Sequence, residues 1–303
     1  MPAGTALESL LRRDRAIVAA SIAALAVIAW IYTLWLAAAM DTDGMSVSGS
    51  GMEMNPALKM DGMGHGGTDP LDAVLGISPR PWSFIEAGVT FTMWTVMMVG
   101  MMLPSATPMI LLYARVGRQS RKEDKPFAAT GFFAGGYLLA WAGFALVATL
   151  GQWLLEGTLL TPALASASGV FSGVVLVTAG LYQWTPLKDA CLSQCQTPIV
   201  FLHRNGGFRR DPGGATRLGF RHGLYCVGCC WALMALLFVG GIMNVLWIAA
   251  IAIFVLAEKV FFPNRTLSRL AGTVLLALER DAFRRNRKGD SFFCANQIHH
   301  SGR

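Results

Sequence analysis

The chain has 303 residues, of which 54% are hydrophobic and only 14% charged, and its mean hydropathy is +0.48. A water-soluble domain would carry about a quarter charged residues, so composition excludes an ordinary soluble globule and points to an all-α fold, a polytopic bundle of transmembrane helices. The net charge of +7 and the pI near 9.3 do not imply nucleic acid. The basic residues fall between apolar stretches and do not gather on one compact basic fold.

In chain order, residues 1–15 form a short basic tail with Arg12, Arg13 and Arg15. Residues 16–40 are apolar over 25 positions. That exceeds both the roughly 20 needed for one crossing and the roughly 7–15 of a signal-peptide core. The segment reads as a retained first anchor that leaves the N-terminus in the cytoplasm.

Residues 41–81 are a long polar loop, expected outside the membrane and without helical or strand periodicity. It holds Met45, Met52, Met54, Met60, Met63 and His65. A loop that cannot build a core has no packing use for so many thioethers, whereas Met and His on a flexible chain can capture Cu(I) without a preformed site. The plainer alternative is a low-complexity linker with a chance excess of Met.

Residues 82–259 read as the metal-binding transmembrane core. In its first span Met93, Met97 and Met101 step by four along one helical face, with Met98 and Met102 in a row beside it. Such stripes are usually packing. Their position between a Met-rich loop and a later cysteine face makes them candidates to pass a metal through the bundle. Pro104 and Pro108 are expected to break or kink this helix. The next spans, about 127–153 and 163–184, carry Gly131, Gly135, Gly136 and Gly143, then Gly169, Gly173 and Gly180. Small residues at these spacings suit close helix packing, and both spans are expected to be scaffold.

YQWTPLKDACLSQCQTP follows, with Cys191 and Cys195 four apart on what Pro186 marks as the first turn of a short helix and Pro198 as its end. A flexible cytoplasmic loop is expected next, from Arg204 to Arg221. His222 to Lys259 is then one apolar run of 38 residues, nearly two crossings, which Gly240, Gly241 and Asn244 should split into a hairpin. His222, Cys226, Cys229, Cys230 and Met234 fall on one face of its first arm. Whether His222 is a ligand or an interfacial side chain stays open. Glu258 and Lys259 are expected to pair with each other at the membrane boundary. Residues 260–303 form a basic cytoplasmic tail, in which 267–278 reads as an interfacial helix, with a partial seventh span as the rival. Cys294, His299 and His300 in this tail read as chance occurrences.

Topology follows from charge. Of the 25 Lys and Arg, all but Lys59 and Arg80 lie in segments assigned inside, which fits the positive-inside rule with about six spans and both termini cytoplasmic. Both cysteine groups then lie near the inner face.

The ligand chemistry favours one metal. Structural zinc takes four ligands in a fixed tetrahedron, whereas thiolates on a membrane helix with thioethers nearby favour Cu(I); zinc is the second candidate. Thiolates in an apolar span also need a compensating cation, a role expected of the metal.

Three blocks, MWTVMMVGMMLPSATPMILLYARV, YQWTPLKDACLSQCQTP and GLYCVGCCWALMALLFVGGIMNVLWIAAIAIFVLAEK, are similar to the signature blocks of a bacterial family of predicted metal-binding integral membrane proteins, long filed as a domain of unknown function. That family includes a membrane protein thought to supply copper to a polyphenol oxidase, and some members carry the label copper chaperone. The resemblance spans roughly Trp82 to Lys259. It implies copper handling at a bacterial inner membrane, with lipid and a copper-dependent oxidase or periplasmic copper carrier as partners.

Two other classes compete. A thiol-disulfide membrane protein would exchange disulfides between Cys191/Cys195 and Cys226/Cys229; a structural membrane subunit would use Cys and Met for packing alone. No nucleotide loop, catalytic Ser/His/Asp set or HExxH motif is present in the sequence, so the expectation is a protein that is not an enzyme.

Overall fold

The computed structural model describes residues 3–49, 82–122, 130–155, 169–208, 211–261 and 265–280. All regular structure among them is helical. In chain order the elements are α1 (Ala3–Gly49), α2 (Phe84–Lys122), α3 (Thr130–Leu155), α4 (Gly169–Tyr182), α5 (Pro186–Gln196), α6 (Pro198–Arg204), α7 (Pro212–Ala235), the single turn α8 (Leu237–Gly240) and α9 (Val245–Leu256). A π-helical turn, Ala257–Phe261, and a last helix α10, residues 266–280, complete the set.

Four stretches are long and apolar enough to cross a membrane: Ala16–Ala39, Phe84–Gly117, Thr130–Leu155 and Pro212–Gly240. A fifth is added if α4 and α5, bent by 65° at their junction, count as one broken span. The hairpin's second arm falls short of this length, since α9 and the π-turn reach only from Val245 to Phe261. Among the described residues length and composition therefore give four spans, or five with the bent pair, where about six were expected for the whole chain. Apolar side chains such as Ile28, Val147, Val174 and Leu246 point outward from the bundle, each more than half exposed.

Local sequence explains several boundaries. α2 starts on a capping box: Ser83 N–H donates to Glu86 Oε2 at 2.8 Å and Glu86 N–H to Ser83 Oγ at 3.2 Å. It then passes through Pro104 and Pro108 as one continuous helix, so the expected break does not occur. Ser105 Oγ donates to the Met102 carbonyl at 2.8 Å and Thr107 Oγ1 to the Leu103 carbonyl at 3.4 Å, which adds side-chain bonds to the backbone beside the two prolines. α1 extends to Gly49, so Met45 lies on helical backbone and not in a loop; Met52, Met54, Met60, Met63 and His65 lie outside the described residues.

The loop expected from Arg204 to Arg221 is largely helix. Asp211 caps α7, accepting from Gly214 N–H at 2.5 Å, and Pro212 takes the first helical position. Arg217 and Arg221 are thus on its first turns, and only a short connection containing Gly206 and Gly207 at positive φ remains. The hairpin turn falls where glycine and asparagine predict it: Gly241 has φ 96°, and Asn244 caps α9 by accepting from Trp247 N–H at 3.2 Å.

α7 is the central element, packed against α3, α5 and α4, while α2 bridges α1 and α3. The α3/α7 contact is a backbone-to-backbone crossing. A Cβ on Gly136 would lie 2.0 Å from the Thr216 carbonyl oxygen, and one on Gly219 2.0 Å from that of Phe133. Gly131, Gly135 and Gly143 have nothing within 4 Å of such a Cβ, so of the four glycines expected to pack in α3 only Gly136 does. Gly180 of α4 packs instead against α10, where its Cβ would meet Leu276 Cγ at 2.9 Å. Gly173 faces Glu279 while Trp184 packs on Gly272. The crossed order of these pairs makes α10 antiparallel to α4. The tail helix therefore lies lengthwise along a candidate span, as the partial seventh span would, and not apart from the bundle.

Candidate metal centre

Five cysteines are described, all free thiols: Cys191, Cys195, Cys226, Cys229 and Cys230. The face predicted on α7 is real, since His222, Cys226, Cys229, Cys230 and Met234 are all buried along it. Cys226 and Cys230, four apart, face Tyr137 of α3 and Met102 of α2, while Cys229 turns toward Cys191 and Cys195 of α5.

The sulfurs of α7 meet the Met row of α2. Cys230 Sγ lies 4.0 Å from Met102 Sδ. Met93, Met97, Met98 and Met101 share the same buried cluster as Met102 and the α7 cysteines, so the stripe is buried throughout and touches the cysteines' sulfur at Met102. Cys229 and Cys230 both donate to the Cys226 carbonyl, at 3.1 and 2.9 Å. α5, laid across α7, brings Cys195 near Cys226 and Cys229 and sets Cys191 Sγ against Gly228. Tyr182 Oη ties the end of α4 to the Gly228 carbonyl. The structure thus brings both predicted cysteine groups together.

Cys226 has the most polar surroundings of the five. Lys259 Nζ donates to its sulfur at 2.8 Å and stands 4.0 Å from Cys230 Sγ and 3.5 Å from Ser105 Oγ. Tyr137 Oη lies 3.1 Å from Cys226 Sγ and donates to the Met102 carbonyl at 3.1 Å. Sulfur from α7, thioether from α2, hydroxyl from α3 and ammonium from the π-turn therefore share one small buried volume.

Lys259 corrects two expectations. It does not pair with its neighbour: the π-turn sends Glu258 to Lys188, whose Nζ is 2.6 Å from Glu258 Oε1, both side chains fully buried. Gln183 and Ser268 close this second cluster, accepting from Lys188 Nζ and donating to Glu258 Oε1, and Gln196 Nε2 donates to the Glu258 carbonyl at 2.9 Å. Second, the cation expected beside the buried sulfurs is supplied by the protein itself. Neither lysine was among the predicted site residues. The signal was available, because an ionisable residue within an apolar span marks a functional position by default.

His222 is buried within the bundle, 2% exposed, and its ring lies 5.0 Å from that of Phe201. Its Nδ1 has no hydrogen-bond partner among the described residues. Among those residues, no group of three or more His, Cys, Asp or Glu side chains is placed together to hold a metal ion. The geometry therefore differs from the closed four-ligand set of structural zinc. It offers soft sulfur from two cysteines and one methionine, a donor set that suits Cu(I).

A family model described as "PpoB2: Copper chaperone" matches residues 91–280, which covers α2 from Phe91 through α10 and includes every residue of the centre. No curated protein and no solved structure matches the chain.

Proposed function

From the premise that this chain belongs to the PpoB2 copper chaperone family, we propose that it is a membrane-embedded Cu(I) carrier whose holding site is Cys226, Cys230 and Met102. The observation that carries this reading is the approach of Cys230 Sγ and Met102 Sδ to 4.0 Å beside Cys226, in the buried centre of the family-matched region. Copper is the cargo, and thiolate with thioether is the donor chemistry that selects its monovalent form.

The remaining predicted residues take supporting places. The Met/His segment with Met45, Met52, Met54, Met60, Met63 and His65 captures copper on the outer side of a bacterial inner membrane. Buried Met93, Met97, Met98 and Met101 line α2 toward Met102, and Cys191, Cys195, Cys229, His222 and Met234 surround the holding pair. The positive-inside distribution of Lys and Arg supports a cytoplasmic N-terminus. Delivery is to a copper-dependent partner such as a polyphenol oxidase, and no catalytic turnover is involved.

The test is elemental mass spectrometry of full-length protein, purified anaerobically in detergent after growth with copper, beside a Cys226→Ser/Cys230→Ser variant. Copper present in the wild type and lost in the variant is the expected result. Wild-type protein that is free of copper and cannot be loaded with Cu(I) would overturn the reading.

A further inference from the structure

We infer that Lys259 is a specificity-determining residue of this site: its ammonium, fixed against Cys226 and Cys230, admits a monovalent soft ion and disfavours a divalent one. This rests on the copper reading above and adds to it the basis of discrimination against zinc.

The first support is position. Lys259 Nζ lies 2.8 Å from Cys226 Sγ and 4.0 Å from Cys230 Sγ, and Lys259 is 6% exposed. An ion held by these two sulfurs would sit within a few ångströms of the ammonium. At that range in a protein interior, the repulsion grows in direct proportion to the ion's charge.

The second support is charge balance. Ligating cysteines bind as thiolates and release their protons. Two thiolates, one Cu(I) and one ammonium sum to zero, whereas the same ligands with Zn(II) leave one buried positive charge. Among the described residues no three Cys, His, Asp or Glu side chains are gathered to share a metal, so no third ligand anion absorbs it. Glu258, the carboxylate beside Lys259 in the chain, belongs to Lys188 at 2.6 Å, and that pair is neutral by itself. In an apolar bundle an uncompensated buried charge is strongly disfavoured.

The third support is that the ammonium is held in place. Lys259 lies in the π-helical turn Ala257–Phe261, the kind of local widening that re-aims side chains and recurs at functional sites. Glu258, one residue earlier, is anchored by Lys188 of α5 and Ser268 of α10, and Gln196 donates to its carbonyl. With the turn fixed on one side, Lys259 has little freedom to swing away from an incoming ion.

The experiment compares wild type, Lys259→Leu and Lys259→Arg, each full-length and monodisperse in detergent, by competition titration with Cu(I) and separately with Zn(II). Lys259→Gln replaces the Leu variant if that protein does not elute as wild type. The expected result is that removing the ammonium shifts the Zn(II)/Cu(I) affinity ratio toward zinc by about ten- to a hundredfold, and that Lys259→Arg keeps the wild-type ratio. A ratio unchanged in Lys259→Leu, or shifted equally in the Arg variant, overturns the inference and leaves copper binding intact. Wild-type protein that binds no Cu(I) overturns the copper reading itself, and the inference with it.

Discussion

Tyr137 Oη and Cys226 Sγ lie 3.1 Å apart although 89 residues separate them in the chain. The same hydroxyl donates to the Met102 carbonyl at 3.1 Å, so one phenol joins α2, α3 and α7 at the sulfurs. Tyr137→Phe removes both contacts and leaves the ring in place. It should lower stability by about 0.5–1.5 kcal/mol, the usual net worth of one hydrogen bond, because Ser105 Oγ still serves the Met102 carbonyl. It should also weaken Cu(I) binding without abolishing it. Thermal unfolding in detergent and a Cu(I) titration read the two effects separately.

The holding pair makes an unequal prediction for adjacent cysteines. Cys226→Ser and Cys230→Ser should each lose bound copper, while Cys229→Ser, whose sulfur is outside the proposed set of Cys226, Cys230 and Met102, should retain it. Met102→Leu keeps the buried volume and removes the thioether, so stability should hold while Cu(I) affinity drops by about tenfold or more, a loss typical even of outer partners of a metal site. Equal copper content in all four variants would count against the assignment.

The α3/α7 crossing predicts a sharp contrast between two glycines of one helix. Gly136→Ala places a methyl group 2.0 Å from the Thr216 carbonyl oxygen, where only a shift of backbone could relieve it. The folded yield should collapse, or stability should fall by about 3 kcal/mol or more, above the usual range for overpacking because the obstacle is main chain. Gly143→Ala meets nothing within 4 Å and should be neutral or stabilising by up to about 1 kcal/mol. Fluorescence-detected size exclusion across a temperature series separates these outcomes.

Lys188 and Glu258 should show strong coupling. Either Lys188→Met or Glu258→Gln alone disrupts a fully buried ion pair, at a cost of about 3–5 kcal/mol. The double substitution should recover much of that loss, because no single charge is left without its partner. A double-mutant cycle on thermal stability tests it, and additive losses would show that the two side chains do not act as a pair.

The sequence made legible what depends on local pattern. Apolar content announced the helices, the spacing of His222, Cys226, Cys230 and Met234 announced one buried face, and Gly241 with Asn244 announced the hairpin turn. Pro186 announced the start of α5 through its fixed φ. Where the reading went wrong, long-range packing or a competing local signal prevailed. The Asp211–Pro212 cap turned an expected loop into the start of α7. Lys259 reaches Cys226 across 33 residues, which no periodicity encodes. Sequence neighbours suggested that Glu258 would hold Lys259, but side chains on successive helical residues point about 100° apart, and each found a partner in a different helix.

The length of α2 bears on where the sulfurs lie. Met102 is 13 residues before Arg115, about 20 Å along a helix, and Cys230 is nine residues after Arg221, about 14 Å. On the proposed reading, with Arg115 and Arg221 at one headgroup level of a hydrocarbon layer about 30 Å thick, the sulfurs would lie about 14 to 20 Å inside it, deeper than the inner-face position expected from charge. Neither aqueous compartment would then touch a held ion directly. A soluble donor or acceptor would hand copper to groups nearer the surface, and loading and unloading would each proceed through at least one intermediate perch within the bundle.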